Sequence, residues 1–308
     1  MDRTADTLSL QEAETLRGLL DSLPLGVYLV NRDRQIVLWN SAAEKITGYM
    51  RHDVVGRLSR ENILFQCNNL SCALCGSVCP LSVALHEGRP CDAQVYIRHK
   101  AGHRVPVHLY VAPMRDAHGS IVGAAESFEE QSRASDLLSR GDLAAHGCLD
   151  VPTGVPNHAF MQSHLRENLA FFAEYNLPFG VMLISVNQLE QFLTTHGREA
   201  VDVLLHVVAQ TMKHALLPDG VLGRWSQFQF LAIMTNCGPA ELSRAARNLE
   251  KMVSCSGIHW WDDLLSPTIA VGYTMVIPGD KMESLMERAA KSLEDAIAHN
   301  NSGSQAEG

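Results

Sequence analysis

The sequence predicts an α+β protein of two domains. An early stretch alternates apolar and polar residues in short runs, as half-buried antiparallel strands do. A later stretch carries the largely apolar run "FGVMLISV" among long segments of helical periodicity, and a polar segment over residues 131–148 separates the two. The 308 residues, 46% hydrophobic and 19% charged, suffice for two cores of ordinary size.

Residues 1–15 are expected to form a leader helix region. Ser9 and Glu12 make a capping box, and Leu16, Leu19, Leu20 and Leu23 recur at helical spacing until Pro24. Next, "GVYLV" and "QIVLW" read as strands joined by the turn "NRDR", and "SAAEKITGY" reads as a short helix closed by Gly48. Beyond a cysteine-rich stretch, Ala93, Val95 and Ile97 alternate with polar residues, and "HKAGH" turns the chain. Val105, Val107, Leu109 and Val111 alternate again, and "SIVGAAESF" completes an antiparallel meander.

The runs "LPLGVYLVNRDRQIVLWNSAAEKITGY", "CPLSVALHEGRP" and "HKAGHRVPVHLYVAPMRDAHGSIVGAAESF" resemble PAS sensor domains that precede GGDEF domains in bacteria, over residues 16–130. This resemblance implies an antiparallel sheet with flanking helices and a sensing role. In the connector, residues 131–148, Leu137, Leu138 and Leu143 are placed for a helix seam that Gly141 weakens. PAS proteins commonly pair such a helix with its twin, which implies a homodimer; a spacer lying on the domain surface is the alternative.

Beyond the connector, "LDVPTGVPNHAFM" resembles the "D-x-LTGLPNR" opening of GGDEF (diguanylate cyclase) domains, with Asp150, Thr153, Gly154, Pro156 and Asn157 in matching places. The helix "SHLRENLAFFAEYN", the strand "FGVMLISV", the helix "EAVDVLLHVVAQTMKHALL", the hairpin "GVLGRWSQFQFLAIM", the strand "TIAVGYTMV" and a last helix follow the order of the cyclase palm, a central sheet flanked by helices. The resemblance spans residues 149–302 and leaves 303–308 as a disordered tail.

It also implies where catalytic groups belong. An active cyclase holds Mg²⁺ on the GTP phosphates with an Asp at the end of the first strand and an acid of the hairpin turn, since the hard cation prefers carboxylate oxygen. Here Ser185 occupies the strand position, and "RWSQFQF" stands in place of "RYGGDEF". Ser226 and Gln227 replace the two glycines that let backbone approach nucleotide, and Phe228 and Gln229 replace the two acids. Leu193 stands where an Asn would bind guanine, and Ile297 and Asn301 stand where phosphate-contacting Lys and Arg belong. The inhibitory "RxxD" site is replaced by Leu217, Pro218, Asp219 and Gly220, with Asp219 one position out of register. Asp202 alone matches a nucleotide contact, and a solvated surface acid is its plainer interpretation.

The domain is therefore expected to be degenerate and not an enzyme: a signalling regulator that senses through its PAS domain and acts by binding protein. A non-catalytic receptor for GTP or cyclic di-GMP is the alternative, and an active cyclase is the third. A net charge of -9 lacks the basic stripe that nucleic acid or an anionic membrane demands. No segment approaches the roughly 18 apolar residues of a membrane span, so a cytoplasmic location without membrane insertion is expected.

Four of the eight cysteines, Cys67, Cys72, Cys75 and Cys79, follow the spacing C-x4-C-x2-C-x3-C-P. Four thiolates suit zinc or an iron–sulfur cluster. A reversible thiol/disulfide switch and unliganded thiols are the other two assignments, and related PAS domains often keep only the Cys75 and Cys79 pair. His86, His99, His103 and His108 fall at turns or alternating strand positions and make no haem motif; nothing signals FAD, although a PAS cavity can hold one. If the four thiols meet at one metal, anaerobically purified protein carries zinc or iron on elemental analysis, and colourless, metal-free protein excludes the cluster.

Overall fold

A computed structural model describes residues 10–59, 63–64, 66, 79–131, 140–216, 220–261 and 263–303. It is a mixed α+β structure of two compact units, with the main boundary after Gln131. Cys67, Cys72, Cys75, Leu137, Leu138, Leu217, Pro218 and Asp219 lie outside the described residues. Among the described residues, no helix is long and apolar enough to cross a membrane.

The first unit opens with α1 (Leu10–Ser22), which crosses the boundary drawn at residue 16 because its leucine periodicity runs on towards Pro24. Then come β1 (Gly26–Asn31), β2 (Ile36–Trp39), α2 (Ser41–Thr47) and α3 (Arg51–Val54). A short turn of helix, α4 (Pro80–Ser82), continues into a π-helical turn (Val83–Glu87) and leads to the meander β3 (Cys91–Arg98), β4 (Arg104–Arg115) and β5 (Ile121–Glu130). The five strands form one sheet in the order β2-β1-β5-β4-β3. Tyr28, Val30, Leu109, Val111, Ala124 and Phe128 point to its buried face with Trp39 and Val54. Tyr28, Trp39 and Phe128 pack with tilted or edge-on rings, centroids 5.3 to 6.4 Å apart.

Buried Asn40 joins three pieces of this unit. Its Oδ1 accepts from the Val27 and Ala43 amides at 2.8 and 2.9 Å, the latter as the N-cap of α2, while its Nδ2 donates to the Leu20 and Leu25 carbonyls at 2.8 Å. Close by, Asp21 of α1 accepts from Arg51 at 2.7 Å and from the Ser41 amide at 2.8 Å.

The second unit begins with α5 (Arg140–Ala145) and a small pair, β6 (Leu149–Asp150) and β7 (Val155–Pro156). It continues through α6 (His158–Tyr175), β8 (Phe179–Val186), α7 (Leu189–Ala215), β9 (Gly220–Arg224), β10 (Gln229–Thr235), α8 (Pro239–Ser254), the hairpin β11 (Ile258–Trp260) and β12 (Asp263–Leu265), β13 (Ile269–Met275) and α9 (Met282–Gly303). The main sheet has the order β13-β8-β10-β9, with antiparallel pairs throughout. Because side chains alternate along β8, Met182, Ile184 and Val186 bury against α7 and α8, whereas Phe179, Val181 and Leu183 bury against α6 and α9.

Two details set the helices in place. Gly197, with φ of 81°, breaks α7 into two segments, a backbone state that L side chains rarely adopt. At Gly272 a Cβ atom would lie 2.1 Å from the Leu293 backbone nitrogen, so only glycine lets α9 pack this closely on β13.

The chain entering α9 is held by Arg288, which donates to both carboxylate oxygens of Asp280 at 2.6 Å and to the Met275 carbonyl at 3.0 Å. The Arg288 hydrogen bond holds the nearly buried Asp280 carboxyl down to about 2, from an ordinary 3.8. The stability this contributes is present above the unfolded value and lost as pH falls through the folded one. Asp280→Asn is expected to cost about 2–3 kcal/mol at neutral pH. It should also flatten the acid limb of stability below about pH 4, as urea unfolding at stepped pH would measure.

Candidate functional site

The candidate site lies where β8 and β10 reach the hairpin turn. Ser185 on β8 is directly opposite Gln229 on β10, with Ala270 of β13 on its other side. The Val186 amide donates to the Phe228 carbonyl at 3.2 Å, making Val186 and Phe228 the hydrogen-bonded pair. Ser185 and Gln229 are then the non-hydrogen-bonded pair, whose side chains approach most closely, with Cβ atoms about 4.5–5.5 Å apart. Both are half-buried and project to the α6 and α9 face, past Leu183 and Leu231. The register thus brings together two positions at which the sequence resemblance expects metal-holding acids, and they carry a hydroxyl and an amide.

The turn itself is closed by its own chain. The Trp225 and Ser226 amides donate to the Gln229 carbonyl at 2.9 and 3.2 Å, and the Ser226 hydroxyl lies 3.2 Å from Gln229 Oε1. Arg224 Nε donates to the Ser226 carbonyl at 2.7 Å, and its Nη2 donates to the Gln227 carbonyl. The same guanidinium covers the Phe230 ring at 4.9 Å. The His158 ring lies tilted against Trp225 at 4.4 Å, and its Nδ1 lies 2.8 Å from the Trp225 carbonyl. Ser226 and Gln227 are exposed, whereas Phe228 folds back against the core beneath α7 and α8, where Phe192 and Leu193 also pack.

Asp202, on α7 beyond the Gly197 break, lies 3.8 Å from Arg198 Nε in an ion pair whose members are 43% and 81% exposed, an arrangement of little energetic weight. Its charge also reaches Arg224: burial lowers the Arg224 pKa, and Asp150 and Asp202 push it back up. Arg224 is the site residue that sequence reasoning passed over. Its signal was a lone cation beside a turn rich in carbonyls and without acids. Ile297 packs into the α6 and α9 core, Asn301 falls on the last turns of α9, and Gly220 opens β9. Of the cysteine run only Cys79 is described, half-buried against the core at the start of α4. Among the described residues, no three His, Cys, Asp or Glu side chains are grouped to hold a metal ion.

A family model described as diguanylate cyclase, GGDEF domain, matches residues 148–302, half of the chain. The chain belongs to the GGDEF family. A PAS domain model matches residues 24–133, so a PAS domain precedes the GGDEF domain. No curated protein matches the chain. Among solved structures, it is similar to the diguanylate cyclase SiaD of Pseudomonas aeruginosa, crystallised with its activator SiaC. That match is 22% identical over 53% of this chain and 64% of that one, under two thirds of its length, with a TM-score of 0.49. The GGDEF domain of FimX from Pseudomonas aeruginosa is 20% identical over 49% of this chain and 94% of that chain, with a TM-score of 0.48. A PAS domain from Colwellia psychrerythraea is 16% identical over 38% of this chain and 95% of that chain, with a TM-score of 0.32.

Phe228, at the position where the sequence resemblance expects the first acid of the motif, packs against the core. Phe228→Asp, the substitution that writes that acid back, is expected to lower stability by about 1–3 kcal/mol through lost apolar burial and an introduced charge. Denaturant unfolding of the full chain checks this, and an unchanged midpoint would show that the ring packs against nothing that matters.

Proposed function

We propose that this protein is a signalling regulator of the cyclic di-GMP family whose PAS domain receives the input and whose GGDEF domain does not turn over GTP but acts by binding another protein. Two copies pair through the connector, and the PAS domain biases that pairing. The observation that carries this is the Ser185 and Gln229 pair: neutral side chains stand opposite one another where the family resemblance calls for acids around Mg²⁺. A hydroxyl and an amide supply no negative charge to offset a divalent ion and the triphosphate it bridges. The packing of Phe228 and Leu193 on the core supports the same conclusion, since it turns two positions with polar roles into apolar ones.

Incubating pure protein with GTP and Mg²⁺, under reducing and oxidising conditions, is expected to yield no cyclic di-GMP by chromatography. Robust product in either condition overturns the proposal. Calorimetry with GTP and cyclic di-GMP separates it from a non-catalytic receptor, for which Asp202 is the only residue that speaks; heat of binding in the micromolar range would favour the receptor.

A further inference from the structure

Among the described residues, Glu126 is the one buried acid, and it sits inside the PAS sheet with 1% of its surface exposed. It shares the inward face of β5 with Ala124 and Phe128. Directly opposite are Tyr28 on β1 and Val111 on β4. Its Oε1 accepts from Gln66 Nε2 at 3.0 Å, whereas Oε2 is buried with no hydrogen-bond partner among the described residues. The titratable groups that act on it are the Tyr28 hydroxyl and the Cys79 thiol ahead of α4, and the carboxyl in turn acts on Cys91 at the start of β3. Among the described residues, none of the groups acting on it is a cation. An ionised carboxylate in such a place has one bare oxygen and, among the described residues, no cation to balance it, whereas the neutral acid leaves at most one O–H unpaired and costs far less to bury.

We propose that Glu126 is a proton switch in the PAS domain, a buried neutral acid whose ionisation breaks the present packing of β5 against β1 and β4. Its position gives the switch an outlet, because β5 ends at Glu130 and the connector follows. Burial pushes the carboxyl up to about 8 from an ordinary 4.5, the Tyr28 and Gln66 hydrogen bonds opposing this in part and Cys79 adding to it. The packed state is therefore fully favoured below the unfolded value of 4.5, loses ground as pH rises, and has lost the whole advantage once pH passes about 8. Between those two values each pH unit shifts the balance towards the repacked state by about tenfold, and above about 8 it shifts no further. The inference concerns the input side of the proposed regulator, and its test reads neither GTP turnover nor partner binding, so the two can fail independently.

Infrared spectroscopy of the full chain tests it. The carbonyl stretch of a protonated carboxylic acid should be present at pH 6, absent from Glu126→Gln, and lost with a midpoint within about one unit of 8. Amide exchange in the β1 and β5 segments should match between the two proteins at pH 6, and should run several-fold faster in the wild type at pH 9. Loss of the band near the ordinary carboxylate range, or equal exchange at pH 9, overturns the proposal. If Glu126→Gln does not fold, Gln66→Leu serves instead: removing the amide that favours the ionised form should raise the midpoint, and an unmoved midpoint counts against the switch. A transition that survives in Glu126→Gln and disappears in Cys79→Ser would assign it to the thiol and overturn the proposal as well.

Discussion

The pairing of β8 with β10 and β13 governs the second domain. This strand is buried on both faces, and each Val, Ile or Leu fully buried along it contributes about 1.5–3 kcal/mol. A slip of one residue would exchange the side chains meant for α7 and α8 with those meant for α6 and α9. Register is therefore fixed by the core and not by whatever stands at the hairpin. For that reason the scaffold tolerates Ser185 and Gln229 at its rim: their alignment is inherited from Leu183 and Leu231 behind them, whatever their chemistry.

The same separation explains how much could be read from residues alone. The strands of both domains are legible because period-two alternation and the largely apolar run of β8 reflect how many faces are buried. The motif positions are legible because they sit at fixed offsets from those strands. The hairpin β11 and β12 and the helix α8 add to the element order expected from the sequence, and Pro239 at the first turn and Glu241 capping the Gly238 amide at 2.7 Å mark the helix start. Phe228 was legible as bulk in a turn, but its packing against the core depends on α7 and α8 lying over that face of the sheet, which no local pattern encodes.

Glu126 shows the opposite case, in which the pattern held the signal and its meaning did not come through. In "AAESF" the acid falls on the same parity as Ala124 and Phe128, the inward phase of the strand, and an acid on that phase is costly unless something specific retains it. Arg224 is comparable: a cation next to the turn reads as solvated until the fold shows that its guanidinium is half-buried over Phe230 and bonded to the carbonyls of the turn. Both are long-range consequences, set by which element lies across from the residue.

Asn40 carries a consequence for how the PAS domain comes apart. One amide group serves backbone from α1, from the start of β1 and from the start of α2, so no one of these can leave without stranding polar groups of the others in an apolar interior. The leader helix is thus no appendage that frays by degrees. It shares the sheet's cooperativity, and a cut or a pull at the amino end is felt at the aromatic centre as a loss of the whole.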